Sequence, residues 1–249
     1  MKISVIIPVA SRHKKHLKRC LLSVLDQDHS DTEIVVVYDG FDMDLPVRDD
    51  KIKKISSEEN RGASATRNAG RVEACGELLY FLDADCTLFP GMLSLMVDKL
   101  DKNDFVYSGY RFNVPGTMNV YPSRPFDPYL LESMNYISTM SLQRAEIFDH
   151  IGGFDEALPY FQDWDYWIRA VRQGYTGHFL KDPAFETEPS DQESISGSAE
   201  YSFRDKVLHI ERKHNIPSRD LCVTTLAAPT QSIERAKILN ARYIGTHPK

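Results

Sequence analysis

The chain has 249 residues, 42% of them hydrophobic and 27% charged, and a formal net charge of -6. These proportions suit a soluble globular protein of one large domain, or one domain with a C-terminal extension, and exclude long low-complexity disorder. The acidic balance speaks against a polynucleotide partner, because such binders gain affinity by neutralising phosphates with Lys and Arg.

MKISVIIPVA opens the chain, and its apolar run is too short for a signal-peptide core or a membrane span. It fits a buried strand over residues 2–8 instead. Leu17, Leu21, Val24 and Leu25 then recur at helical spacing, which predicts a helix over 12–27. EIVVVYDG (33–40) reads as a second buried strand, KIKKISS (51–57) as a weaker third, and ELLYFLDAD (77–85) as a fourth. Between the last two lies ASATRNAGRVEAC (63–75), a helix opened by Gly62; Pro90 and Gly91 precede another, MLSLMVDKL. Strands alternating with helices imply βαβ units and a parallel, doubly wound, Rossmann-like sheet flanked by helices. Four cysteines (Cys20, Cys75, Cys86, Cys222) lack CxxC or zinc spacing and read as reduced thiols of a cytosolic protein, with Cys20 and Cys75 packed in helices.

After residue 103 the pattern changes. FVYSGYRF (105–112) reads as a strand, and four prolines between 115 and 128 mark a loop. YISTMSLQRAEIF (136–148) predicts a strand running into a helix, and GGFDE (152–156) a turn before a helix over 163–173. A short strand, TGHFL, follows, then a polar segment (186–198) expected to be mobile, then amphipathic helices near 199–214 and 231–243. The expected organisation is one domain over 1–198, its halves dividing near residue 103, and a helical C-terminal extension over 199–249.

Ligands of doubly wound sheets bind beyond the carboxyl ends of the strands, where Asp39 and the Asp83/Asp85 pair fall. Two aspartates one residue apart in a strand share a face, and their repulsion is costly unless a cation offsets it. Hard divalent ions accept carboxylate oxygens and keep positions open for phosphates, so the pair reads as a metal-diphosphate clamp. The plain alternative is that one acid caps a turn and the other is solvated. Asp39-Gly40 could accept a bond from the N–H of a base edge, or be an ordinary Asp-Gly turn. Arg67 could reach a phosphate or hold a nearby carboxylate from a helix whose small residues also suit sheet packing.

IIPV, VVVYDG, NRGASATRNAG, YFLDAD, GGFDE and FQDWDYWIR occur in the order seen in family 2 glycosyltransferases, and the chain resembles that family over about residues 3–180. The resemblance implies the GT-A fold and an inverting, metal-dependent transfer from a nucleotide sugar, a UDP-sugar foremost, to the hydroxyl of a glycan or lipid-linked acceptor. It implies that Pro8, Val9 and Asp39 receive the base, Arg67 supports the nucleotide side, Asp83 lies near ribose or sugar, and Asp85 holds Mn2+ or Mg2+ at the diphosphate. Asp163 matches the base of the reaction, where the positive end of its helix favours the ionised form. Gly153, Gln162 and Trp164 would meet the acceptor, while Asp165, facing away, is expected to be structural. Three departures stand out: Tyr38 occupies a position that is often acidic, Gln162 replaces the usual Glu, and Asp191 of DQESIS falls where many members carry a metal-binding histidine. Asp191 is either a third metal ligand or part of a loop that does not ligate.

Two other readings use the same residues: a non-catalytic nucleotide- or sugar-binding protein, and a nucleotidyltransferase. The second lacks a Gly-rich loop with a following Lys or Arg after the first strand. The extension is expected to pack on the domain, with dimerisation or contact with a membrane surface as alternatives and a cytoplasmic or membrane-peripheral location.

Overall fold

The computed structural model describes residues 1–114, 117–121, 123–187 and 202–217. Its centre is a seven-stranded sheet in the order β10-β6-β9-β4-β1-β2-β3. These strands are β1 (Ile3–Ala10), β2 (Thr32–Asp39), β3 (Ile52–Ser56), β4 (Leu78–Phe81), β6 (Phe105–Ser108), β9 (Leu142–Arg144) and β10 (Gly177–Leu180). Every pairing is parallel except those of β9, which runs against β4 and β6.

The continuous apolar runs follow from cover on both faces. Ile3, Val5, Ile7 and Val9 join one core with helices α1 (Leu17–Leu25) and α3 (Met92–Leu100). Ile6, Val35 and Val37 face a second core, shared with α4 (Pro128–Leu131), α5 (Ala145–Ile151) and α6 (Gln162–Arg172). Helix α2 (Gly62–Glu73) packs on β1 and β2. Helix α7 (Phe203–Lys213) places Val207 and Ile210 in the second core, so its apolar side is covered within the chain.

A second, four-stranded sheet in the order β5-β11-β7-β8 is absent from the sequence reading. It comprises β5 (Cys86–Leu88), β7 (Tyr110–Val114), β8 (Thr117–Tyr121) and β11 (Phe185–Thr187). The expected strand 105–112 breaks at Gly109, where a Cβ would lie 2.4 Å from the Tyr121 carbonyl oxygen. The chain thereby changes sheets, and part of the proline-bearing loop is β8.

Several boundaries also move. α1 starts at Leu17, because residues 12–16 offer nothing apolar to bury; a short 3-10 turn, Ser11–His13, precedes it. β4 ends at Phe81, so Asp83 and Asp85 stand on the turn joining the two sheets, and the shared-face argument from strand alternation does not hold. Cys20 is packed in α1 as expected, but Cys75 follows the end of α2 and is exposed, its thiol 3.2 Å from Glu33 Oε2. Asp191, Cys222 and the helix expected near 231–243 lie outside the described residues.

Candidate active site

The order of β4, β1 and β2 puts the switch in strand order beside β1, and the three carboxyl ends converge there. At the end of β2 the Asp39 carboxylate accepts from the backbone N–H of Arg61 at 2.7 Å and of Gly62 at 3.0 Å. It therefore satisfies donors at the start of α2 and fixes that helix against β2. Each oxygen keeps a lone pair for a further donor. Pro8 and Val9 are buried, Val9 completely, so the Val9 side chain cannot line a pocket; half-buried Ala10 follows at the strand end. Tyr38 is wholly buried and packs on Phe41 with ring centroids 4.9 Å apart, which accounts for an aromatic residue there.

Arg67 is the central link. Its Nη2 donates to Asp83 Oδ1 at 2.7 Å, while Nη1 faces Gln162 Oε1 at 3.4 Å. Gln162 Nε2 donates to the Leu158 carbonyl, which turns the amide oxygen toward the arginine. One guanidinium, 6% exposed, thus connects the acids after β4 with the first turn of α6. Among the described residues its Nε has no partner.

Asp85 is differently placed. Its Oδ2 lies 3.8 Å from His13 Nε2, its Oδ1 receives a weak Cys86 S–H contact at 3.7 Å, and its own backbone N–H adds a hydrogen bond. Arg12 Nε donates to the same His13 nitrogen at 3.0 Å, so that nitrogen acts as an acceptor and the ring as a neutral group. Burial holds His13 below the ordinary histidine range despite the nearby acids. Burial, then the Asp83 charge, raises the Asp85 carboxyl. Among the described residues, then, neither Asp85 oxygen accepts from a charged side chain, and the site disfavours an ionised Asp85 beside Asp83. That donor set fits a hard divalent cation. Among the described residues no ready-made group of three or more ligands exists, so the remaining coordination would have to come from phosphate and water.

Asp163 stands in the first turn of α6. Its Oδ1 accepts from the Trp164 N–H at 2.8 Å, and Asn135 adds a side-chain hydrogen bond. Burial lifts its carboxyl above the usual range, with Asn135, the Trp164 N–H and the Arg67 charge opposing only in part. Phe161, just before the helix, adopts a left-handed φ of 52°. Such a conformation is worth about 1–3 kcal/mol of strain in a non-glycine residue. Edge-on contacts with Trp164 and Phe203, at 5.5 and 5.6 Å, hold it there.

Two acceptor-side expectations are corrected. Trp164 is 2% exposed and its indole N–H donates to the Leu131 carbonyl at 2.6 Å, which leaves no ring face for a sugar. Gly153 makes no room for an acceptor: at φ 74°, a Cβ there would lie 2.7 Å from Phe148 Cζ and 2.9 Å from Asn68 Oδ1. The glycine instead lets GGFDE dock on α2. Asn68 exchanges two 2.9 Å hydrogen bonds with the backbone of Phe154, and Arg61 pairs with Glu156 at 3.1 Å.

Asp165 faces the opposite way, fully buried, as its spacing implied. Arg169 donates to it through Nε and Nη2 at 2.9 and 2.8 Å, His214 Nε2 lies 2.9 Å away, and Lys213 Nζ 2.6 Å. Burial alone would raise this carboxyl, but bonds from His214 and Lys213, with Arg169 beside them, hold it well below the usual range. Arg169 also donates to the carbonyls of Ile151 and Gly153, each at 2.7 Å. α6, α7 and the glycine turn are thereby joined at one point. Asn135 beside Asp163, Phe203 against Phe161, and His214 and Lys213 on Asp165 carry no local sequence signal, because each partner is far away in the chain.

The family model of glycosyl transferase family 2 matches residues 4–155. An uncharacterized glycosyltransferase of Bacillus subtilis, YwdF, is 30% identical over 187 residues, covering 69% of this chain and 69% of its own length. Another, of Haemophilus influenzae, is 24% identical over 266 residues, covering 99% of this chain and 84% of its own. Among solved structures, S. aureus TarS 1-349 in complex with UDP-GlcNAc matches with a TM-score of 0.68 at 21% identity, over 89% of this chain and 68% of that one. Against the longer TarS chain the match spans 44% of its length.

Proposed function

The chain belongs to glycosyltransferase family 2 and has the GT-A fold, and from that premise we propose an inverting transfer of sugar from a nucleotide-sugar donor to an acceptor hydroxyl, with Asp163 as base. The observation that carries the reading is the Arg67 fork, because it brings the acids after β4 and the residue beside Asp163 into one site. TarS, alike in fold, has been crystallised with UDP-GlcNAc, which favours a UDP-sugar here.

Inversion is a single displacement in which the acceptor oxygen attacks opposite the departing nucleoside diphosphate. One carboxylate then suffices on the acceptor side. Asp163 suits that task, since burial raises its carboxyl and so its basicity, while Trp164 and Asn135 fix its direction. Asp85 and Asp83 Oδ2 would hold Mn2+ or Mg2+, whose charge offsets that gathering on the leaving diphosphate. Arg67 orients Asp83 and keeps Gln162 in register with it. Asp39, anchored by the start of α2, retains acceptor capacity for the N–H of a base. Among the described residues no helix is long and apolar enough to cross a membrane.

UDP release from UDP-glucose and UDP-GlcNAc tests the proposal. Wild-type protein with Mn2+ is expected to release UDP, EDTA to abolish release, and Asp85→Asn to lower it by about a hundredfold or more. Turnover that persists under both chelation and the substitution would overturn the metal-assisted mechanism.

A further inference from the structure

Three aromatic rings form a column across the second sheet. Phe185 on β11 is fully buried, and Tyr110 on β7 stacks against it with centroids 5.2 Å apart and planes 14° apart. Tyr121 on β8 stacks on Tyr110 at 5.0 Å and 12°. The column runs from core to solvent: Tyr110 is half-buried, and Tyr121, on the strand that ends the sheet, is 41% exposed. A ring backed by a second ring, on a residue exposed at the sheet edge, is a rigid flat surface.

Its position relative to Asp163 follows from the chain path. Ser123, two residues beyond Tyr121, donates to the Tyr136 carbonyl at 2.7 Å. The residue before Tyr136 is Asn135, whose side chain bonds the Asp163 carboxyl. Burial, then the Asp163 charge, pushes the Tyr121 phenol up, so the two groups share one electrostatic neighbourhood.

We infer that Tyr121 is the platform on which a sugar ring of the acceptor stacks, its C–H face on the phenol ring and its hydroxyl rim turned toward Asp163. A pyranose has the shape for this: apolar C–H groups cover its faces and hydroxyls edge it. A linear polyol offers the same hydroxyls without a face. The acceptor class this selects is a glycan or glycoside, and the selection tolerates different sugars because every pyranose has such a face. The inference rests on the reading of Asp163 as base and adds the group that presents the acceptor to it.

Saturation-transfer NMR on the full chain with UDP and Mg2+ tests the platform, the probes being methyl pyranosides of glucose, galactose and N-acetylglucosamine, with sorbitol for comparison. The ring C–H protons of the pyranosides are expected to receive saturation well above sorbitol. In Tyr121→Ala and Tyr121→Leu that signal should fall about tenfold, and in Tyr121→Phe it should persist. Pyranoside signals no stronger than sorbitol would overturn the inference. So would signals unchanged in the alanine variant, or lost equally in the phenylalanine variant, which would assign the effect to the hydroxyl. Melting curves identify a variant that fails to fold, and the leucine and phenylalanine variants then decide. UDP signals from the same samples report the donor site: present while the pyranosides fail, they sink only the platform; absent from wild type, they sink the wider reading.

Discussion

Asp165→Asn separates structure from chemistry in α6. The wild-type carboxylate is fully buried and receives Arg169 twice, His214 and Lys213. Asparagine keeps one acceptor oxygen but removes the charge and turns an N–H2 group toward cations. Breaking a buried charged cluster by neutralising one member is typically worth about 3–5 kcal/mol. Lys213 and Arg169 keep side-chain exposures of 27% and 24%, so water recovers part of their solvation and the lower end applies. A loss of about 3 kcal/mol lowers the melting temperature by roughly 6–12 °C in a domain of this size. The folded carboxyl lies below its unfolded value of about 3.9, so its contribution is complete above that pH and is lost as pH falls through the folded value. Calorimetry of wild type and variant should therefore give the same gap at pH 7 and pH 5, narrowing below about pH 4. A gap under about 2 °C at pH 7 would refute the idea that this cluster joins α7 to α6.

Asp163→Asn is expected to lower kcat by about a hundredfold to ten-thousandfold while the donor KM stays near wild type. Since the base must be ionised and burial raises its carboxyl, wild-type kcat/KM should fall with decreasing pH on a limb lying above the ordinary Asp value, about 3.9. A profile flat down to pH 4 would assign the base elsewhere. Gly153→Ala forces a Cβ against Phe148 and Asn68 at positive φ, and should destabilise the fold by about 1–3 kcal/mol, measured by urea titration.

Some of this was legible without coordinates, for a local reason. A strand covered on both faces needs an unbroken apolar run, so VIIPV, EIVVVYD and LLYF announce β1, β2 and β4. The second sheet has no clear signal in the sequence because its strands are three to five residues long, too short to show a pattern, and prolines flank β8. Trp164 and Gly153 misled for a related reason. A lone tryptophan or a Gly pair near a base looks the same in sequence whether it meets a ligand or fills a gap.

The amino-acid order by itself determined the layered α/β fold and the convergence of Asp39, Asp83 and Asp85 at one sheet edge, because parallel strands joined by helices must end together. It could not determine which side chains meet across the edge. Arg67 reaches Gln162 over a separation of 95 residues, and Asp165 meets His214 over 49. Such pairs form only when helices pack at fixed distances, and hydrogen bonds lost beyond a few tenths of an ångström are selected by that packing, not by any periodicity along the chain.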